Sequence, residues 1–200
     1  MGSTLIILVL LGAVAVVVLW GVGIYNGLVT ARNAFKNAFA QIDVQLQRRF
    51  DLIPNLVETA RAYMGHERET LEAVTAARTA AQSGLAAAKA NPGDPEAMAT
   101  LAATQGQLNG VLGRLMMVAE AYPDLKANQN MMQLTEELTS TENRVAFSRQ
   151  AFNDSVMAYN NKREVFPSSV VAGMFNFAPA ALLDITADRA EVREAPKVQF

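Results

Sequence analysis

The residues with the most obvious chemical potential are one histidine and a scatter of carboxylates. His66 is followed by Glu67 and Glu69, a grouping that could hold a divalent metal or move a proton. The HExxH register that sets two imidazoles on one helix face is missing, so a polar or capping role is the simpler reading. Glu136, Glu137 and Glu142 are not accompanied by the Glu-x-x-His pairs that di-iron bundles require. No phosphate-cradling glycine loop and no GxSxG elbow occurs. The absence of cysteine excludes disulfides, Cys-ligated zinc, iron–sulfur clusters, thiol nucleophiles and S-acylation together. The expectation is a protein without catalytic, metal or cofactor residues.

Other polar residues are better suited to specifying contacts between helices. Asn33, Asn37, Gln41, Asp43, Arg49, Asn143, Arg144, Arg149 and Asn153 sit in helical patterns, where buried hydrogen bonds fix register even when they add little stability. The preferred pairing is Asp43 with Arg144 or Arg149. Around Asp43 the stretch QIDVQLQRRFDLIPNLV, Gln41 to Val57, sets Arg48, Arg49 and Asp51 among apolar residues at helical spacing. Pro54 then bars its predecessor from helical geometry and suits the first turn of a new helix, which predicts a corner between two long helices.

The elements that carry these residues begin with an anchor. Leu5 to Ile24 runs for twenty residues without a charge, enough for a helix to cross about 30 Å of hydrocarbon. Leu5, Leu10, Val16 and Ile24 supply the apolar surface, and Trp20 and Tyr25 near one end suit the interface. A cleaved signal peptide is the competing reading, but a basic n-region and a convincing small-residue cleavage site are both missing. Residues 1–4 form a short tail, and MGSTLI does not fit the myristoylation pattern. Gly23 and Gly27 make a GxxxG pair, either a chance match or a helix-association motif. No Lys or Arg precedes the apolar run, whereas Arg32 and Lys36 follow it closely. The positive-inside rule then puts the N-terminus outside and the remainder in the cytoplasm.

After the anchor, at 5–25, the pattern is helical throughout. Leu28, Phe35, Phe39, Ile42, Leu46, Phe50 and Ile53 form one apolar stripe, predicting a helix over about 26–53 continuous with the anchor. A second helix, 55–90, carries Leu56, Ala60, Met64, Leu71, Val74, Ala81, Leu85 and Ala88, and Asn91 to Pro95 is the clearest turn. The third, 96–122, has Met98, Leu101, Gln105, Leu108, Leu112, Leu115 and Ala119. The fourth, 129–166, has Met131, Leu134, Leu138, Thr141, Val145, Ser148, Phe152, Ser155 and Tyr159. Thr141, Ser148 and Ser155 recur every seven residues, either as a close-packing seam or as the edge of the stripe.

Four such helices joined by short links predict an all-α fold: a single transmembrane helix continuous with a long antiparallel four-helix bundle over 26–166, then an irregular C-terminal segment over 167–200. Counting passes puts the Pro54 corner and the loop Pro123 to Asn128 at the membrane-distal tip, so Arg48, Arg49, Asp51, Pro54, Tyr122 and Asp124 become candidate tip contacts. The Asn91–Pro95 turn faces the membrane. A second helix starting at Asn55 would overshoot toward the bilayer, and must tilt, fray or break near Ser83–Gly84. Val170, Val171, Met174, Phe175 and Phe177 make a short apolar segment that either lies against lipid or a neighbouring subunit, or folds over the open end of the core. The tail ends in Val198-Gln199-Phe200, and Val198 and Phe200 could hook onto a neighbour.

Net charge of −2 over 200 residues, with signs interspersed, gives no case for nucleic-acid binding, and 51% hydrophobic residues suffice for an anchor and a core. The runs Tyr25–Arg78 and Ala121–Phe177 resemble the LemA family in the order IDVQL, RR, DLIPNLV, HE, YPDLKAN, TEN, R and FP. Met131 and Met132 stand where Phe would be expected. The resemblance implies a bacterial protein of the cytoplasmic membrane with a single pass, an outside N-terminus, a cytoplasmic bundle and no implied enzymatic activity. A relative in magnetosome-forming bacteria is linked to membrane organelle formation. Together these predict a noncatalytic, homo-oligomeric scaffold whose partners are the bilayer, copies of itself and possible other membrane proteins. The alternative is an adaptor or signalling subunit of a membrane enzyme such as a membrane metalloprotease.

Overall fold

The computed structural model describes residues 2–185. It consists of α1 (Gly2–Arg61), α2 (Arg68–Ala90), α3 (Pro95–Ala119), the single turn α4 (Pro123–Lys126), α5 (Gln129–Glu164) and the short α6 (Ser168–Met174), followed by extended chain. No strand occurs among the described residues. The fold is all-α, with an N-terminal apolar helix that runs without interruption into a helical bundle.

α1 is 60 residues long, which corresponds to about 90 Å. Its first part is exposed on every side, and its core face starts at Leu28 and continues through Phe35, Phe39, Ile42, Leu46, Phe50 and Ile53. The predicted stripe is therefore the buried face. The predicted break at Pro54 is not observed, because α1 continues two turns further to Arg61 and buries Leu56, Val57 and Ala60 as well. A proline inside a helix leaves the carbonyl four residues earlier without its usual N–H donor. That carbonyl belongs to Phe50, and Arg78 on α2 donates its Nε to it at 2.7 Å. The neighbouring helix thus supplies the hydrogen bond that Pro54 removes, and the corner moves to residues 62–67.

This pairing yields a specific expectation. Arg78→Met keeps most of the side-chain volume but strips the Phe50 carbonyl of its donor, which should cost about 1–3 kcal/mol in chemical denaturation. Adding Pro54→Ala returns an N–H to that carbonyl and should recover most of the loss. If the two substitutions simply add, the compensation is not made through Phe50.

Moving the corner also removes the length problem. α2 has 23 residues and α3 has 25, so each spans about 36 Å; α2 runs unbroken through Ser83 and Gly84. Gly84 serves a different purpose from a break: a Cβ there would come within 2.5 Å of Thr104 Oγ1 on α3, so the glycine lets the two helices approach. Asp94 caps α3 by accepting from the Ala97 amide at 2.9 Å, with Pro95 in the first turn. Asn128 caps α5 in the same way through Met131.

α1 packs most extensively on α5, α2 pairs with α3, and α1 also contacts α2, whereas α3 and α5 hardly approach each other. The bundle is consequently a sheet of four helices curled around a core, with an open seam between its first and last edges. At the distal end Met64 and Leu125 are buried as plugs. There the Asn128 Nδ2 donates to the Tyr63 hydroxyl at 3.0 Å and the Tyr122 hydroxyl to Glu67 at 3.4 Å. Burial, reinforced by Glu67, pushes the Tyr122 hydroxyl above its usual pKa. At the anchor end the shorter α2–α3 hairpin stops at the level of Phe35, since Gly93 in its turn lies against Phe35 and Ala180. α6 and the chain after it cover what the hairpin leaves bare. The Asn91–Pro95 turn is therefore not the part of the bundle nearest the anchor.

Candidate functional site: the anchor-end clamp and the open seam

Two aromatic residues predicted as membrane-facing are divided by the fold. Phe175 and Phe177 both pack edge-on against Tyr25, at centroid distances of 4.9 and 5.5 Å. The Arg32 guanidinium lies 4.9 Å from the Phe177 ring centre, within cation–π range. Phe177 is buried, whereas Val170, Met174 and Phe175 stay exposed, together with Val165 and Phe166; Val171 is half-buried. The segment thus folds over the bundle end through Ala172 and Phe177 and leaves an apolar patch beside Tyr25. Leu5, Leu10, Val16 and Trp20 are exposed, while Ile24 and Tyr25 already touch the core. Val198 and Phe200 lie outside the described residues.

Residues 177–183 are held by a ladder of side chains from α5. Arg163 Nε donates to the Phe177 carbonyl at 2.6 Å, and the Tyr159 hydroxyl donates to that of Ala178 at 2.7 Å. Asn160 makes a reciprocal pair with Ala180, giving its Nδ2 to the carbonyl and accepting the amide; Asn153 does the same with Leu183. Seven helical residues rise about 10.5 Å and three extended residues about 10 Å, so asparagines one heptad apart meet backbone groups three residues apart. Ala181 adds a hydrogen bond from its amide to the Gly93 carbonyl at 2.7 Å. The segment fills the seam between α3 and α5 at the anchor end.

Asn160→Ala should therefore detach this segment locally. Loss of a reciprocal pair that leaves backbone groups unsatisfied costs about 1–3 kcal/mol, so hydrogen exchange at the Ala180 amide should quicken about tenfold or more while the Phe39 amide is unaffected. Unchanged exchange at Ala180 would mean that the asparagine ladder does not hold the segment.

Farther along the seam lies a cavity of about 350 Å³ in which polar groups stand in a largely apolar wall, lined by Gln105, Asn109, Gly106 and Gly110 of α3, Glu142, Val145, Ala146 and Arg149 of α5, Arg49 of α1 and Ile185 at the end of the extended segment. Arg49 is only 5% exposed and Gln105 only 1%. Burial pulls the Arg49 guanidinium below its ordinary pKa, with the negative charge of Glu142 acting in the opposite direction. Among the described residues, neither Arg49 Nε, nor either amide atom of Gln105, nor Asn109 Oδ1 has a hydrogen-bond partner.

These positions correct several expectations. Arg49 is in the bundle interior rather than at the tip, because the α1 corner lies three turns beyond it; Arg48 and Asp51 are exposed mid-helix, and Pro54 is an outward-facing helical residue. Of the six residues predicted at the tip, Tyr122 and Asp124 are found there. Asp43 turns toward α2 and pairs with Lys89 at 2.7 Å, not with Arg144 or Arg149. This is a partly exposed pair contributing about 0–1 kcal/mol. Thr141 and Ser155 bond carbonyls of their own helix, so the heptad of hydroxyls does not bridge helices through them. Asn160 and Gln105 had no functional reading in the sequence. The heptad from Asn153 to Asn160 beside the Phe152–Tyr159 stripe was the available signal for the former, and the placement of an amide inside the α3 stripe was the signal for the latter.

A model of the LemA family matches residues 38–200. The chain belongs to the LemA family. The match begins inside α1, beyond the apolar stretch, and takes in the seam, its ladder and the tip. Protein LemA of Metamycoplasma hominis is 26% identical over 151 residues, covering 76% of this chain and 64% of that protein. Magnetosome protein MamQ 2 of Paramagnetospirillum magneticum is 25% identical over 174 residues, covering 78% and 63%. Magnetosome protein MamQ of Magnetospirillum gryphiswaldense is 25% identical over 171 residues, covering 76% and 62%. The chain thus spans less than two thirds of the length of these curated relatives.

Proposed function

We propose that this LemA-family protein is a noncatalytic, membrane-anchored scaffold that associates with copies of itself and organises the bilayer around it. The observation that carries this reading is the continuity of α1: an apolar run with no partner in the fold passes without a hinge into the helix that centres the bundle. A 60-residue rod of this kind ties the orientation of the bundle to that of the anchor. The exposed patch of Val170, Met174 and Phe175 beside Tyr25 then lies at headgroup level, where it meets lipid or a neighbouring copy. The kinship with magnetosome proteins supports a role at a membrane. The charges at Arg32 and Lys36 support a single pass through the bacterial cytoplasmic membrane, with the N-terminus outside and the bundle in the cytoplasm; cysteines introduced singly into this cysteine-free chain at Ser3 and Asp124 would report opposite sides.

A second reading, an adaptor for a membrane enzyme, is favoured by one observation. The distal part of the seam forms a groove in which Met116, Leu125, Met131 and Met132 stand beside Glu120, Lys126, Glu136 and Asn143, and methionine-rich surfaces adapt to partner helices. Crosslinking in native membranes from a single cysteine at Asp124 separates the two. Self-crosslinks support the scaffold, whereas one heterologous product without self-crosslinks supports the adaptor and contradicts the scaffold.

A further inference from the structure

We propose that the cavity on the α3–α5 seam is a binding site for a small monocarboxylate that carries a hydrogen-bond donor next to its carboxylate, a group such as an acylated amino acid presents. This inference is independent of the scaffold reading. A guanidinium withdrawn from water without an ion pair is costly; among the described residues Arg49 is withdrawn in this way, and Glu142, the carboxylate that acts on it, is itself exposed. Beside it Gln105 keeps both amide atoms unsatisfied, and the Asn109 carbonyl oxygen completes the set. Each such buried polar atom asks for a partner.

The polarity of the four atoms selects the ligand. Arg49 Nε and Gln105 Nε2 are donors, suited to the oxygens of a planar carboxylate. Gln105 Oε1 and Asn109 Oδ1 are acceptors and call for an N–H or O–H on the same molecule. The lining charge is two guanidiniums, Arg49 and Arg149, against the single carboxylate of Glu142, a net of +1 that a bound monoanion neutralises and a dianion would leave with an uncompensated negative charge. Gly110 leaves the α3 wall open, since a Cβ there would touch nothing within 4 Å. A cavity of about 350 Å³ is at the small end of ligand sites.

The test is thermal unfolding of the full-length protein in mild detergent at constant ionic strength, with N-acetylglycine, the neutral N-acetylglycinamide or inorganic phosphate added. N-acetylglycine alone should raise the midpoint by about 3 °C near saturation, and the shift should vanish in Arg49→Met. Gly110→Leu, which fills open space and leaves Arg49 in place, should abolish it too. No shift with N-acetylglycine, an equal shift with phosphate or the neutral amide, or a shift that survives Arg49→Met would overturn the proposal.

Discussion

Arginine at both Leu10 and Val16 should transfer the full-length protein from the membrane fraction to the soluble fraction. Each arginine near the centre of a spanning helix costs about 2.5–3.5 kcal/mol, so two shift the partition by roughly four orders of magnitude. Both residues are exposed and contact nothing in the bundle. The helical content and unfolding midpoint of the bundle should therefore survive, which separates loss of anchoring from loss of folding. Retention of the double variant in sedimented membranes after a high-salt wash would show that other surfaces, the Phe175 patch foremost, suffice for attachment.

The second large effect is expected at Phe152. Its ring is fully buried and stands edge-on to Phe35 at 6.3 Å and Phe39 at 5.6 Å, tying α5 to α1, the helix pair with the most extensive packing. Phe152→Ala removes that burial and leaves a cavity flanked by two rings, for a loss of about 3–5 kcal/mol. Phe147, five residues earlier on the same helix, is 73% exposed, and Phe147→Ala should change stability by less than about 0.5 kcal/mol. Denaturant midpoints of the two variants make the comparison. A similar loss for both would mean that the outward face of α5 is covered in the assembled protein, which would itself locate a contact between copies.

The contrast between Phe152 and Phe147 shows where sequence periodicity is informative. Apolar residues stepping by three and four mark a buried face because burial is what forces the step, and all seven α3 positions of the predicted stripe, including Gln105, are buried. Periodicity reports that a side chain points inward and does not report what it meets there. Gln105 accordingly read as one more core position, although it faces Arg49 across a cavity. Asp43 was recognisable as a carboxylate suited to an interhelical pair, but its partner depended on how far α2 returns, and Lys89 came within reach because the corner lies beyond residue 61 rather than at Pro54.

Pro54 is the instructive departure. Local rules assign proline a helix boundary because it deletes one hydrogen bond and crowds a carbonyl. Those costs are local, whereas the donor that offsets them, Arg78, lies 24 residues away and on another helix. Tertiary structure can override a local rule when it supplies the missing group, and single-sequence reasoning has no access to that supply. The C-terminal ladder was hidden for a related reason: Asn153 and Asn160 bond to backbone atoms of residues 180 and 183, and backbone groups leave no residue-specific mark on the partner segment.

Self-association through an anchored rod is the central claim, and the mass of the full-length particle tests it most directly. Multi-angle light scattering in a mild detergent, with the detergent contribution subtracted, should return a protein mass that is a multiple of the 21.6 kDa chain and that persists on dilution. A single-chain mass across the whole concentration range, with the bundle folded and the anchor intact, would contradict it.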